Sequence, residues 1–256
     1  MNIAGSIICL ILLLAGEVFA KSQPRASANY LSGIKNHDLN KLWFSNPDKK
    51  DADILAVTHP TPLGIIGENC QRFYIHYTAV TKCKTNSCQY NVTGKTRVKE
   101  NICGFSGTIT ITKTRIYTKQ FDYRYKQGFV ECAINFKEDT TQVNSGIFTG
   151  KLVTTFYLDE KRMIEYDDLL FGADLYFNNQ VQATWTSYAT YKSKKVKWGD
   201  YRIPGNTGFD VGDGEFMIDD KYVKNGWQNY KAARSGDPEN AATKNAESAE
   251  AIEWWK

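Results

Sequence analysis

The sequence predicts an all-β fold: an antiparallel barrel or sandwich carrying a short N-terminal helical segment and one C-terminal helix. Three observations carry that expectation. Apolar side chains recur at every second position in one segment after another, turn-forming residues separate the segments, and the alternating segments are rich in Thr and in the aromatic residues that make up 13% of the chain. Regular strands joined by tight turns argue a meander rather than parallel βαβ units. Closure into a barrel would also remove exposed strand edges.

The chain opens with an apolar run from Ile7 to Ala15, followed by Gly16, Glu17 and Val18-Phe19-Ala20. This has the form of a secretory signal peptide over residues 1–20, too short for a bilayer span, which needs roughly 20 apolar residues. Leu14-Ala15-Gly16-Glu17 lacks the cysteine of a lipoprotein signal. The expectation is therefore an exported chain beginning near Lys21, periplasmic or extracellular, with no membrane anchor.

Residues 21–65 read as a lead-in. Lys21 to Ser27 is polar and expected to be disordered, whereas Tyr30, Leu31, Ile34, Leu39, Leu42 and Trp43 are spaced for one or two helical turns packed on a core. Asn46-Pro47-Asp48 ends that pattern, and a loop with Pro60 and Pro62 follows.

A β-rich domain is expected over residues 66–230. Its first strand places Phe73, Ile75 and Tyr77 on one face, and Arg72, Tyr74 and His76 on the other. The same period returns through Gly107 to Thr114, then in Val130, Cys132, Ile134 and Phe136, and again in Phe148, Leu152, Phe156 and Leu158. Val181, Ala183, Trp185, Ala189 and Tyr191 form a further row. Asn144-Ser145-Gly146, Asp159-Glu160-Lys161, Asn178-Asn179 and Gly205-Asn206-Thr207-Gly208 punctuate them as turns. Over residues 231–256, Asp237-Pro238-Glu239 reads as a helix start with Asp as cap. The terminal Trp254-Trp255 would dock that helix or offer a surface to a partner.

Composition narrows function. With 32 basic and 28 acidic residues and no clustered basic stripe, nucleic-acid binding is not expected. Of the six cysteines, Cys9 lies in the leader, leaving Cys70, Cys83, Cys88, Cys103 and Cys132, an odd number. A Cys83–Cys88 disulfide closing a hairpin tip is the expectation, while Cys132 and Cys103 fall on the buried face by parity. A zinc site is disfavoured because Cys83-x4-Cys88 has no matching pair and only His37, His59 and His76 are available. Neither a nucleophile elbow nor a phosphate loop is present, and no cofactor is expected. Asn91-Val92-Thr93 is a glycosylation sequon, meaningful only in a eukaryotic source.

The densest unusual segment runs from Trp198 through Gly199-Asp200-Tyr201-Arg202-Ile203-Pro204 to Phe216. Its aromatic faces could stack on sugar rings, with carboxylates bonding hydroxyls, so Trp198, Tyr201, Trp227, Asp200 and Glu215 are the candidate ligand-binding residues. The competing structural reading is a twisted, bulged hairpin whose aromatics fill the core. Asp210-Val211-Gly212-Asp213-Gly214-Glu215 also alternates oxygen ligands with glycine, but without the spacing of a calcium loop.

The phrases Asn69-Cys70-Gln71-Arg72-Phe73-Tyr74-Ile75-His76-Tyr77, Trp185-Thr186-Ser187-Tyr188 and Trp198-Gly199-Asp200-Tyr201-Arg202-Ile203-Pro204 resemble recurring phrases of uncharacterised exported β-rich proteins of Bacteroidetes. That resemblance implies a compartment and a source, and no site residue. Gln182-Ala183-Thr184-Trp185 is similar to the G-x-W of lipocalin and avidin barrels, but Ala183 replaces the glycine and the motif falls late in the chain, so no ligand site carries over. The functional expectation is an exported, non-catalytic binding module with carbohydrate as its ligand class. One alternative is a glycoside hydrolase using Glu215 with Asp200 or Asp213. Another is a structural or protein-binding role for which Trp254-Trp255 and the odd cysteine would be the features to follow.

Overall fold

A computed structural model describes residues 26–44, 59–120, 122–205 and 208–256. The expected signal peptide over residues 1–20, Lys21 to Arg25, Asn46-Pro47-Asp48 and the Asn206-Thr207 part of a predicted turn lie outside the described residues.

Among the described residues, ten antiparallel strands form one sheet. They are β1 (Ser27–Asn29), β2 (Leu63–Ile66), β3 (Gln71–Lys82), β4 (Gln89–Val98), β5 (Asn101–Tyr117), β6 (Lys126–Glu138), β7 (Gly146–Leu158), β8 (Ile164–Tyr166), β9 (Asn178–Ser187) and β10 (Ser193–Asp200). Pairing runs β5-β4-β3-β2-β10-β9-β7-β6 and returns from β6 to β5, so eight strands complete a barrel-like ring. Short β1 adds to the edge of β5, and β8 extends β7 beyond the end of β9. Neighbours in the ring are neighbours in sequence apart from the closing β10–β2 pair and the β7–β9 pair, between which only short β8 intervenes, which makes it the expected meander.

The period-two rows point where alternation requires. Phe73, Ile75, Val92, Ile109, Ile111, Val130, Cys132, Ile134, Phe136, Phe148, Leu152, Phe156, Val181 and Val196 share one interior cluster, all of them buried. Burying an aliphatic or aromatic side chain stabilises by about 1.5–3 kcal/mol, so this row supplies the main driving force for the ring. One predicted turn and one predicted row differ from the expectation. Asn178 and Asn179 begin β9 instead of forming a turn, and Ala189 and Tyr191 lie in the β9–β10 connection, where Tyr191 takes the left-handed conformation. Period alone could not separate a strand from the turn that continues its rhythm.

The expected helical turns are α1 (Leu31–Ile34) and a 3-10 turn over Asn40–Leu42, while Ser27, expected to be disordered, begins β1, and β2 starts at Leu63 within the stretch read as a lead-in. Ile34, Leu39, Leu42 and Trp43 join the interior cluster and stop one end of the ring. At the other end lie the β2–β3, β4–β5, β6–β7 and β9–β10 connections.

The C-terminal part covers the outside of β2 and β3. Leu63 and Ile65 on the outer face of β2 pack with Ile203, Phe209, Phe216, Ile218, Trp227 and Tyr230 in a second cluster. Arg72, expected on a polar face, is 4% exposed. Its guanidinium lies over the Trp227 ring at 4.3 Å and donates to both Glu250 oxygens at 3.1 and 2.7 Å. Helix α2 (Gln228–Ser235) precedes α3 (Ala241–Glu250). The α3 cap is Asn240, whose side chain accepts from the Ala242 N–H, so the helix starts after the Asp237-Pro238-Glu239 turn and not at it. Trp254 packs beside Tyr74 and Trp255 stacks on His76 at 3.9 Å.

Candidate functional site

The unstopped end of the ring is a cup of about 1050 Å³. Small-molecule sites commonly span roughly 300–1,000 Å³, so this one has room for a ligand of some size. Its wall includes Ile66, Phe73, Val98, Phe148 and Trp185, with the polar side chains of Asn69, Gln71, Thr96, Asn101, Asn144 and Thr184 among them. Trp198 lies behind that lining, in the interior cluster: it is buried, and its ring lies 5.6 Å from that of Phe73 and 6.3 Å from that of Phe148.

Glu138 is the carboxyl of this wall that is buried, at 5% exposure. It ends β6, where alternation from Phe136 turns its side chain inward. Three donors hold it: the Thr96 hydroxyl on one oxygen, and on the other the Trp185 Nε1–H at 2.9 Å and the Gly146 N–H at 2.8 Å. Burial pushes its pKa up, and those hydrogen bonds oppose the shift by favouring the anion. The arrangement orients Trp185, since the indole N–H is fixed to a carboxylate that is itself fixed by two strands.

Gly146 completes this arrangement. A Cβ there would come within 2.7 Å of the Trp185 indole and 2.4 Å of the Thr186 carbonyl oxygen, so any larger residue would displace the ring or the strand. The Asn144-Ser145-Gly146 turn seen in the sequence thus carries a packing requirement as well as a bend. Lys194, two residues before inward-facing Val196, sets its ammonium 5.8 Å from the centre of the Trp185 ring.

The predicted site residues are not brought together at the surface. Trp198 and Trp227 are 2% and 0% exposed and belong to different clusters, one inside the ring and one outside it. Asp200 is sealed at the stopped end, where it accepts from the Tyr166 hydroxyl at 2.9 Å and Asn179 Nδ2 at 2.7 Å. Glu215 is exposed on the outer loop, and Tyr201 packs against Tyr176 and Phe171. Glu215 and Asp200 therefore share no cleft. The segment is the bulged, core-filling structure: β10 is irregular between Trp198 and Asp200, and Phe209 and Phe216 are buried.

In the Asp210–Glu215 loop the cation is internal. Arg202 donates to Asp210 Oδ2 at 2.6 Å and to the Gly212 and Gly214 carbonyls, occupying oxygens that a calcium ion would need. The expected Cys83–Cys88 disulfide is absent, and both thiols are free. Although the two residues do flank a hairpin tip, Cys88 packs against the interior cluster while Cys83 Sγ lies 3.3 Å from Thr85 Oγ1. Cys132 and Cys103 are buried as parity implied.

Sequence reasoning passed over Glu138, Gly146 and Trp185 as a site. The available signal was positional: an inward aromatic and an inward acid at the last turns of two strands that end on the same side of a meander. Compared with models of known families, with curated proteins and with solved structures, the chain matches none.

Proposed function

We propose that this protein is a non-catalytic, exported binding module whose ligand enters the cup, and that the ligand is a carbohydrate. The observation that carries this reading is Trp185, an aromatic face held at a fixed angle by Glu138 in a wall that alternates aromatic rings with amide and hydroxyl side chains. Sugars present flat apolar faces together with rings of hydroxyls, and that mixture suits them better than a purely apolar or purely charged ligand. A pre-formed site also avoids the cost of ordering loops on binding.

Glu138 invites the glycan-cleaving alternative, because a buried acid with a raised pKa in a cleft is a common general acid. Its three protein donors argue otherwise. Both oxygens serve as acceptors within the wall, and the proton a general acid must deliver has no place in that arrangement.

The test is retention of the protein on a broad panel of immobilised glycans, run beside Trp185→Ala. Saturable retention on one glycan class, weakened at least about tenfold in the variant, is the expected result. Silence across the panel, or a variant that binds as well as the parent, would remove the reading; release of new reducing ends abolished by Glu138→Gln would replace it with hydrolysis.

A further inference from the structure

The rim of the cup has a charge bias that its interior lacks. Lys99, Lys194 and Lys195 all line it, against Glu68 at the rim and Glu138 in the wall. Among the described residues none of these three ammonium groups pairs with a carboxylate. Glu138, by contrast, has its charge spread over three protein donors below them. Lys99 is held in the left-handed region (φ 54°) at the β4–β5 turn, a conformation that costs a lysine energy and that glycine or asparagine would adopt more readily. Lys194 sets its ammonium beside the Trp185 ring, so one aromatic face and one free cation meet at the entrance.

We infer that the sugar taken by the cup is an acidic one, a chain bearing carboxylate or sulfate groups, with its ring stacked on Trp185 and its anionic groups met by Lys194 and Lys99. This deepens the carbohydrate reading and rests on it. Two features favour an acidic sugar over a neutral one: unpaired lysines gathered at the rim, where the field of several like charges adds, and a cation placed over the Trp185 ring. Carboxylate and sulfate share this chemistry, so the experiment separates them.

The full mature chain is titrated by calorimetry with three probes: oligogalacturonate, its fully methyl-esterified form, and a sulfated heparin oligosaccharide. The two galacturonan probes differ only in charge. The expected result is binding of at least one anionic probe at least tenfold tighter than the neutral ester in dilute buffer. That advantage should fall several-fold on going to 0.5 M salt, where the roughly 8 Å physiological screening length shortens further. Lys194→Gln and Lys99→Gln should each weaken the anionic probe about three- to tenfold and the ester by clearly less, and unchanged thermal unfolding of both variants separates lost charge from lost fold. Preference for oligogalacturonate assigns carboxylate, and preference for the heparin oligosaccharide assigns sulfate. Equal affinity for the ester and its acid overturns the acidic-sugar inference while leaving carbohydrate binding standing. No binding to any of the three, alongside retention on neutral glycans in the panel, overturns it too; silence in both experiments removes the carbohydrate reading itself.

Discussion

The two ends of the ring are built from similar materials and finished in opposite ways. At the stopped end an aromatic side chain, Trp43, donates its Nε1–H to Thr154, whose hydroxyl donates to Asn179 Oδ1. Asn179 Nδ2 in turn donates to the Leu42 carbonyl at 3.0 Å and to Asp200 at 2.7 Å, where Tyr166 also donates. At the open end Trp185 donates its Nε1–H to Glu138, which Thr96 and the Gly146 N–H also hold. Each end thus couples a tryptophan to a buried carboxyl. The difference lies in what covers the tryptophan: the lead-in segment fills one end, and nothing among the described residues fills the other. Polar networks of equal quality serve stability where a segment of the chain closes over them and leave a prepared surface where none does.

That contrast is broken most forcefully from the stopped end. Trp43→Ala removes a buried ring and its hydrogen bond to Thr154, and should destabilise the protein by about 3–5 kcal/mol, read from the denaturation midpoint at unchanged slope. Asn179→Ala should cost about 2–3 kcal/mol, because it strands the Leu42 carbonyl and the Thr154 hydroxyl and places alanine at a left-handed position (φ 47°). Neither change should weaken ligand binding at the cup beyond what lost stability explains.

A smaller effect comes from pH. Burial raises the Asp200 carboxyl from its ordinary 3.8 to about 7 against the opposing hydrogen bonds of Tyr166 and Asn179. Between those values the folded protein keeps a proton that the unfolded chain has released, so this group's contribution is fully present below about pH 4 and is lost as pH rises through 7. Between pH 5 and 7 the loss is on the order of 2 kcal/mol. His59, whose pKa burial lowers, acts with the opposite sign, so the informative quantity is the difference between the parent and Asp200→Asn. The gap should move in favour of the variant as pH rises; a pH-independent gap would show that Asp200 is ionised throughout.

The open end should respond weakly in stability and strongly in binding. Gly146→Ala and Trp185→Ala should each cost about 1 kcal/mol of stability while abolishing most ligand affinity, since both disturb the orientation of the indole. Lys194→Gln should change stability by less than about 0.5 kcal/mol.

How much of this could be read in advance follows the same division. Alternation from Phe73 to Tyr77 and from Val130 to Phe136 located the strands and their inner faces, because one wetted and one dry face impose period two. The lead-in was legible in the spacing of Ile34, Leu39, Leu42 and Trp43. The outer face of β3 misled, since Arg72, Tyr74 and His76 look solvent-facing until the C-terminal segment covers them. The site was missed for a related reason. Aromatic density between Trp198 and Trp227 reads as a platform, but density is as high in a core, and only the strand order reveals which strand ends surround an opening. Trp185 looked like one more inward residue because its distance from the mouth depends on how eight strands register.

Ligand seated at the open end would leave its mark on hydrogen–deuterium exchange, measured with and without a saturating concentration of whichever glycan the panel and the calorimetry show to bind. Protection confined to the turns at 67–70, 99–100, 139–145 and 188–192 is the predicted result. No change anywhere, or protection centred on the 83–88 and 159–163 turns or on residues 209–216, would contradict it.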